Sequence, residues 1–288
     1  MTRPGELVID LGVRARDAPR GRITFIGTAT VLVEIGPFTF LTDPNFLHAG
    51  DHAPLGYGLR SRRLTSPAVE LDQLPELDFV VLSHHHGDHF DPVVVERLAK
   101  STRIVTEPGS ARKLRRQRFE QVIALDTWQA VTFRRGGTDL RVTAMPGRHA
   151  PGPLRWALPG VMGSILDYVV DGRLAHRTYV TGDTLMFEGL VDVVDRYPDV
   201  DACLLHLGGT RIAGVLLTMD AEQGIRFVEM TRPREVLPIH YDDYTVFRSP
   251  IADFLERFAE VDATSRLTVM ERGVPHPFGP EPDVVIAD

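Results

Sequence analysis

The chain of 288 residues reads as an α/β protein built on mixed β-sheet, and three observations predict that class. Through its first part, short runs rich in β-branched and aromatic residues are joined by turn sequences that suit antiparallel hairpins. Toward its end, similar runs alternate with helical segments, as in βα units. No Ser/Gly linker, low-complexity block or repeat of about 20 to 50 residues interrupts the pattern, so one domain of two β-rich halves is the simplest account. We assign residues 1–21 to an N-terminal extension, 22–271 to the domain and 272–288 to a peripheral Pro-rich tail.

Strands are expected at 22–27 (RITFIG), 30–35, 38–43, 78–83, 130–134, 139–145, 164–170 and 177–183. Gly36-Pro37, Gly136-Gly137 and Asp171-Gly172 supply the hairpin turns. The runs at 200–206, 235–240 and 266–271 resemble buried strands of α/β units. Asp91 before Pro92 and Ser249 before Pro250 each place a capping side chain ahead of a proline at the first helical position, predicting helices over 92–100 and 250–260. Thr218 is a candidate cap for a helix running to Met230, and 187–196 is a further amphipathic segment. Residues 45–67 show no strong periodicity and are long for a connection, which favours a functional loop.

Composition narrows the function. At 43% apolar and 25% charged residues the chain is an ordinary soluble globular one, which excludes disorder and fibres. Its formal charge of −7 repels polyanions, so no nucleic-acid partner is expected. The single cysteine, Cys203, excludes a disulfide framework and any thiolate-rich metal site, and fits a reducing, cytoplasmic location. Within VDACLLH it reads as a buried bystander. No stretch has the apolar length that spans a bilayer, and no secretory leader precedes the first strand.

The chemistry concentrates in Ser83-His84-His85-His86-Gly87-Asp88-His89, between an apolar strand and a capped helix. In extended chain, residues two apart point the same way, so His84 and His86 can share one ion while His85 faces elsewhere. Gly87 then permits a sharp turn that swings Asp88 and His89 toward a second position. Neutral imidazole and carboxylate are the donors zinc takes when thiolates are absent, and manganese or iron accept the same set.

His84-x-His86-x-Asp88-His89 resembles the H-x-H-x-D-H signature of the metallo-β-lactamase fold hydrolases, and the likeness extends over roughly residues 22–270. That family's remaining ligand positions have matches in His149, Asp183 and His240, each after a strand-like run. The resemblance implies a four-layer αββα sandwich of two mixed sheets flanked by helices, with two divalent metal ions at the strand ends. One ion would be held by His84, His86 and His149, the other by Asp88, His89 and His240, with Asp183 bridging. Asp43 matches an early aspartate that orients a ligand histidine, as the physics of such ligands requires. In its details the chain is similar to the group containing ascorbate-6-phosphate lactonase and the N-acyl-phosphatidylethanolamine-hydrolysing phospholipase D-like proteins. Ile26-Gly27-Thr28-Ala29-Thr30, Leu41-Thr42-Asp43-Pro44, Leu74-Pro75-Glu76-Leu77-Asp78 and Gly182-Asp183-Thr184 carry that likeness. It departs at Thr28, where the group commonly has histidine, and at His206, where an apolar residue or proline is more usual.

These expectations define a small-molecule hydrolase acting on an ester, lactone or phosphodiester through a metal-bridging hydroxide. The catalytic candidates are Asp88 and Asp183, with His206, Tyr241 and the Asp242-Asp243 pair as sources of a leaving-group proton. Substrate contacts are expected from His48, His52, Tyr57, Arg60, Arg62 and Arg63, from residues 148–156 and from residues 208–211. The basic run ARKLRRQR at 111–118 is read as a solvated helix face, weakly suggestive of an anion or partner site and given no function. Two rival classes are iron-dependent redox chemistry on the same fold and a noncatalytic metal-binding module; the remaining length leaves no room for a flavin domain. Leu47, Leu55, Tyr57 and Leu59 leave peripheral lipid contact open, and the oligomeric state is not specified by the sequence.

Overall fold

The computed structural model describes residues 7–12, 21–152, 158–261 and 263–280. In chain order its first strands are β1 (Leu7–Asp10), β2 (Arg22–Gly27), β3 (Thr30–Ile35) and β4 (Phe38–Thr42). A hairpin of β5 (His52–Gly56) and β6 (Leu59–Arg62) then precedes β7 (Phe79–Leu82) and α1 (Pro92–Arg97). After β8 (Ile104–Thr106), α2 (Pro108–Arg116) and β9 (Val122–Ala124) come four long strands: β10 (Ala130–Arg135), β11 (Thr138–Pro146), β12 (Met162–Val170) and β13 (Arg173–Val180). The last part holds α3 (Val191–Arg196), β14 (Ala202–His206), the short hairpin β15 (Arg211–Ile212) and β16 (Val215–Leu216), and α4 (Ala221–Thr231). It ends with β17 (Glu235–Ile239), α5 (Ile251–Glu260), β18 (Arg266–Leu267) and β19 (Pro275–Pro277).

The period-two pattern of these runs builds two mixed sheets. One has the order β1-β10-β11-β12-β13-β14-β17-β18, the other β19-β2-β3-β4-β7-β8-β9. Within each, the strands joined by short hairpins pair antiparallel, while β14 to β18 and β7 to β9 pair parallel across helical crossovers. Facing side chains of the two sheets form one core in which Phe40, Phe79 and Phe133 stack in series, with centroids 5.0 and 4.0 Å apart. Each such buried ring contributes about 1.5–3 kcal/mol of transfer free energy. The outer face of the eight-stranded sheet buries Tyr179, Cys203, Leu205 and Val236 under Val193, Phe227 and Phe254 of α3, α4 and α5. The outer face of the seven-stranded sheet buries Leu41, Val80, Leu82 and Ile104 under Val94 and Leu114 of α1 and α2. Helix, sheet, sheet, helix: the four layers are those the resemblance implied.

Several local expectations shift. Asp91 caps α1, accepting from the Val94 N–H at 2.8 Å, but the helix stops at Arg97. Ser249 does not cap α5; its hydroxyl accepts from the Ala221 N–H at 3.0 Å, at the head of α4. Thr218 likewise gives way to Asp220, which accepts from the Gln223 N–H at 3.1 Å, because the Thr218 hydroxyl is engaged by the Thr210 N–H. The 45–67 segment carries the β5–β6 hairpin, irregular around Pro54 and Gly56. Leu7–Asp10, in the expected extension, adds β1 parallel to β10, and Pro275–Pro277, in the expected tail, pairs with β2 at a sheet edge, where proline's missing donor costs nothing. The rest of those two segments that was assigned from sequence, at 1–6, 13–20 and 281–288, lies outside the described residues. Among the described residues no helix is long and apolar enough to cross a membrane.

Candidate metal centre

The expected ligands converge because each follows the carboxyl end of a strand on the same side of the sandwich. Asp43 follows β4, the His84–His89 loop leaves β7, His149 follows β11, Asp183 follows β13, His206 ends β14 and His240 follows β17. The apolar strand bodies are fixed by the core, so the polar residues one to three places beyond them are held at its rim.

Two donor sets result. His84, His86 and His149 form one; Asp88, His89, Asp183 and His240 form the other; within each set the ligand atoms lie within 4.8 Å of one another. The His84 Nε2 stands 3.0 Å from His86 Nδ1, and the His84 and His89 rings, one from each set, are 4.1 Å apart between centroids. The His89 Nε2 is 3.1 Å from Asp183 Oδ2, and His240 Nε2 is 3.7 Å from Asp88 Oδ2. A third group, Asp43 with His89 and His206, lies behind the second set.

The outer nitrogens of the imidazoles are tied to the scaffold. His149 Nδ1 donates to the Leu217 carbonyl and His240 Nδ1 to the Leu207 carbonyl, both at 3.1 Å, which fixes each tautomer and leaves Nε2 as the lone-pair nitrogen. Asp43 accepts from the Ser83 N–H and hydroxyl and faces His89 Nδ1 at 3.6 Å, the orienting contact expected of it. The buried atoms His89 Nε2, His240 Nε2, Asp88 Oδ1 and Asp183 Oδ1 have no hydrogen-bond partner in the protein. Buried polar groups are rarely left so, and four of them within one donor set fit a cation held by nitrogen and oxygen.

Backbone conformation carries part of the placement. Thr28, Asp43 and His240 hold left-handed conformations, with φ of 53°, 35° and 61°, an arrangement that costs about 1–3 kcal/mol per residue and concentrates at functional sites. Gly182, at φ 64°, turns Asp183 inward where a Cβ would come within 3.0 Å of the Met162 carbonyl. Gly87 serves differently from the sharp turn expected of it. Its φ is not positive; a Cβ there would meet Pro54 at 2.4 Å, so glycine lets the β5–β6 hairpin lie against the ligand loop.

Electrostatics divide the two sets. Burial, and then the neighbouring imidazoles, hold His84 well below the usual histidine range and push His86 down to about 3. Burial also lowers His149. This set is therefore neutral at pH 7, with lone pairs available. In the second set burial is outweighed by ion pairing. Asp183, Asp88 and Asp43 raise His89 well above its ordinary value, and His89 and His240 bring Asp88 to about 2.

Other sequence candidates fall elsewhere. Tyr241 turns away from the centre into the core between the sheets, its ring 5.9 Å from Phe25, and burial pushes its hydroxyl up to about 12. His206 is fully buried, its Nε2 3.5 Å from Asp43 Oδ2 and its Nδ1 3.2 Å from the Thr181 hydroxyl. Asp242 sits by the Ile251 N–H, and Asp243 is buried between Arg63 and Arg272. Arg63, expected to face substrate, has no exposed surface; it donates to the Thr28 hydroxyl, the Asn45 amide oxygen and the Thr65 carbonyl. Leu47 and Leu55 are buried with Ala53 and Tyr244, leaving only Tyr57 and Leu59 of the apolar quartet exposed. Arg60 and Arg62 are exposed on the hairpin, His52 is exposed on β5, and His48 pairs with Glu70. Arg148 stacks over Phe187 beside His149, and Arg211 pairs with Asp220; of the 148–156 stretch, residues 153–156 lie outside the described residues. The sequence reading missed Asn45, whose amide donates to the Gly87 carbonyl at 2.8 Å; nothing in a loop without periodicity marked it.

A four-layer sandwich with histidine and aspartate ligands at the rim of both sheets is the metallo-β-lactamase architecture. Residues 39–241 match the Beta-lactamase superfamily domain, and the chain belongs to that family. It is 27% identical over 266 residues to an uncharacterized protein of Mycobacterium tuberculosis, covering 88% of this chain and 67% of that one. It is 23% identical to a UPF0173 metal-dependent hydrolase of Pyrococcus furiosus, over 88% of this chain and 97% of the relative. Among solved structures, the isothiocyanate hydrolase from Delia radicum gut bacteria superposes with a TM-score of 0.75 at 20% identity, over 90% of this chain and 99% of that one.

Proposed function

We propose that the chain is a metal-dependent hydrolase with a dinuclear centre that cleaves an ester, lactone or phosphodiester bond of a small molecule. The observation that carries this reading is the adjacency of two complete donor sets, the second of which holds buried atoms of Asp88, His89, Asp183 and His240 with no hydrogen-bond partner in the protein. Family membership and the metal-dependent hydrolase among the relatives support the coarser part. The absence of thiolate and the mix of imidazole and carboxylate favour zinc, with manganese or iron as alternatives. His84, His86 and His149 would hold one ion and Asp88, His89 and His240 the other, with Asp183 between them. The likeness in residues 41–44 and 182–184 supports a place near the lactonase and phospholipase D-like group, and the single buried cysteine favours a cytoplasmic location.

When bound, the ions supply a water activated near neutral pH and polarise the electrophilic oxygen. The protein's own contribution is orientation and proton handling. Asp88 offers a free carboxylate oxygen at the centre that can accept the proton of an attacking water. Asp43 and the Leu207 and Leu217 carbonyls hold the imidazoles in the tautomers that present Nε2 inward. His206, behind Asp43, is a positioning residue rather than the leaving-group acid, since its free nitrogen faces that carboxylate.

Elemental analysis with a screen of generic ester, lactone and phosphodiester substrates tests the reading. About two equivalents of metal are expected, with hydrolysis lost and metal content lowered in Asp183→Ala and His86→Ala. Full turnover after chelation would overturn it.

A further inference from the structure

The cationic side chains of the basic run at 111–118 are not used by the metal centre, yet they line a groove that also includes His86. Helix α2 buries Ala111 and Leu114 against its sheet, and this leaves Arg112, Lys113 and Arg116 exposed together on the other side, one turn apart. These three side chains line, together with His86 and Gly87, a groove of about 930 Å³. Lys113 Nζ donates to the backbone carbonyl of His85 at 3.4 Å, so the cationic wall begins one residue from two ligands of the first set. His85 itself, expected to face away from the ion, points into the groove and contacts Gln117 at 2.9 Å.

The charge of this wall is not neutralised locally. Among the described residues Arg112 and Arg116 make no ion pair or hydrogen bond. Two carboxylates also line the groove. Glu107 is committed to the head of α2, where it accepts from the Gly109 and Ser110 N–H groups; Glu96 of α1 is the one that opposes. The β5–β6 hairpin adds Pro54, Leu55 and Tyr57 to the lining. A cationic wall at the entrance is set against a chain whose formal charge is −7.

We infer that Arg112, Lys113 and Arg116 form an anion subsite, so that the molecules cleaved at the metal centre carry a carboxylate or phosphate at the end away from the scissile bond. This rests on the hydrolase reading above and names the substrate class for the same site. Guanidinium pairs suit either anion through two parallel hydrogen bonds.

Two esters that differ only in the distal group test it on the metal-loaded enzyme: 4-nitrophenyl butyrate, and the 4-nitrophenyl monoester of glutaric acid. The ratio of their kcat/KM values is the readout. The wild type is expected to favour the glutarate monoester by about tenfold at low salt, mainly through KM, with the margin narrowing as salt screens the contact. In R112A/R116A the ratio falls toward one, and R112K/R116K retains part of it. A wild type with no preference, or a ratio unchanged in R112A/R116A, overturns the inference. Should neither ester be turned over, the hydrolase reading fails for esters, and calorimetric binding of monophenyl glutarate against phenyl butyrate decides the subsite by the same comparison. Vesicles of phosphatidylglycerol separate a lipid headgroup from a soluble anion: vesicle binding lost in R112A/R116A with an unchanged ester ratio overturns the small-molecule reading.

Discussion

The buried carboxylate of Asp243 faces two guanidiniums in unequal settings, and this asymmetry can be measured. Arg63 has no exposed surface, approaches Asp243 at 3.8 Å and lies over the Tyr244 ring at 5.1 Å. Arg272 grips both carboxylate oxygens but keeps a quarter of its side chain in solvent. In Arg63→Met, Asp243 retains Arg272 and the Thr28 N–H at 2.8 Å, and the Asn45 oxygen retains the Tyr244 hydroxyl at 3.0 Å. The Thr65 carbonyl and Thr28 hydroxyl are left without the donor they had. At about 1–3 kcal/mol for each of these two acceptors, the expected loss is about 2–6 kcal/mol. Arg272→Met leaves Arg63 in place and exchanges a partly solvated pair, so about 1 kcal/mol is expected.

The double variant is the decisive one. It leaves a buried carboxylate with no cation, a situation costing about 3–5 kcal/mol, so its loss should exceed the sum of the two single losses by about 1–3 kcal/mol. Urea unfolding of the chelated protein, followed by the fluorescence of its two tryptophans, gives these differences from the midpoints at constant slope. Equal losses for the two single variants, or additivity of the pair within about 0.5 kcal/mol, would refute the reasoning. The same hub touches both ligand loops: the Thr28 carbonyl accepts from the His240 N–H, and Asn45 donates to Gly87. Arg63→Met should therefore also weaken metal binding by about tenfold or more, as loss of ligand support generally does.

Two further outcomes follow from the centre's electrostatics. Asp43→Asn keeps the shape that holds Ser83 but removes the charge facing His89 and His206, and should weaken metal binding by about 10–100-fold in a chelator competition; unchanged affinity would show that Asp43 does not support His89. In the chelated protein, the histidines lowered in the fold contribute stability that is complete above the unfolded value of 6.5 and is lost as pH falls from there toward about 3 for His86. His89, raised in the fold, contributes in the opposite sense, its share being present below 6.5 and lost as pH rises through its elevated value. Urea midpoints that do not fall between pH 6.5 and 4 would contradict the neutral assignment of the first set.

How far the centre could be read from the sequence depends on how local each constraint is. His84, His86, Asp88 and His89 share one loop, so their spacing alone announces ligands. His149, Asp183 and His240 are single residues in ordinary contexts, legible only through resemblance to a family whose strand ends carry them. Arg60, Arg62 and Arg63 look alike in the sequence. The hairpin exposes the first two, while Arg63, just past β6, is anchored by Asp243, a residue 180 positions away that no local pattern connects to it. The mixed sheets were legible for the same reason as the loop, because they arise from periodicity within each run, whereas their stacking into four layers was legible only through the resemblance.

Tyr241 and His206 show how far the period-two rule reaches at the ends of strands: it turns both toward the interior between the sheets. Leu237, Ile239 and Tyr241 all enter the core between the sheets, although Tyr241 lies two residues past the end of β17 and follows the left-handed His240. Along β14, Ala202 and Leu204 face that same interior while Cys203 and Leu205 face the helices. His206 therefore points inward at the last position of its strand, at the rim where Asp43 and His89 stand. His240 escapes the rule because its left-handed backbone breaks the alternation after Ile239 and aims the imidazole at Asp88 and Asp183. Parity thus gives the face, and the place along the strand, body or rim, decides between packing and the donor groups; at His240 it is the left-handed backbone that carries the imidazole to them.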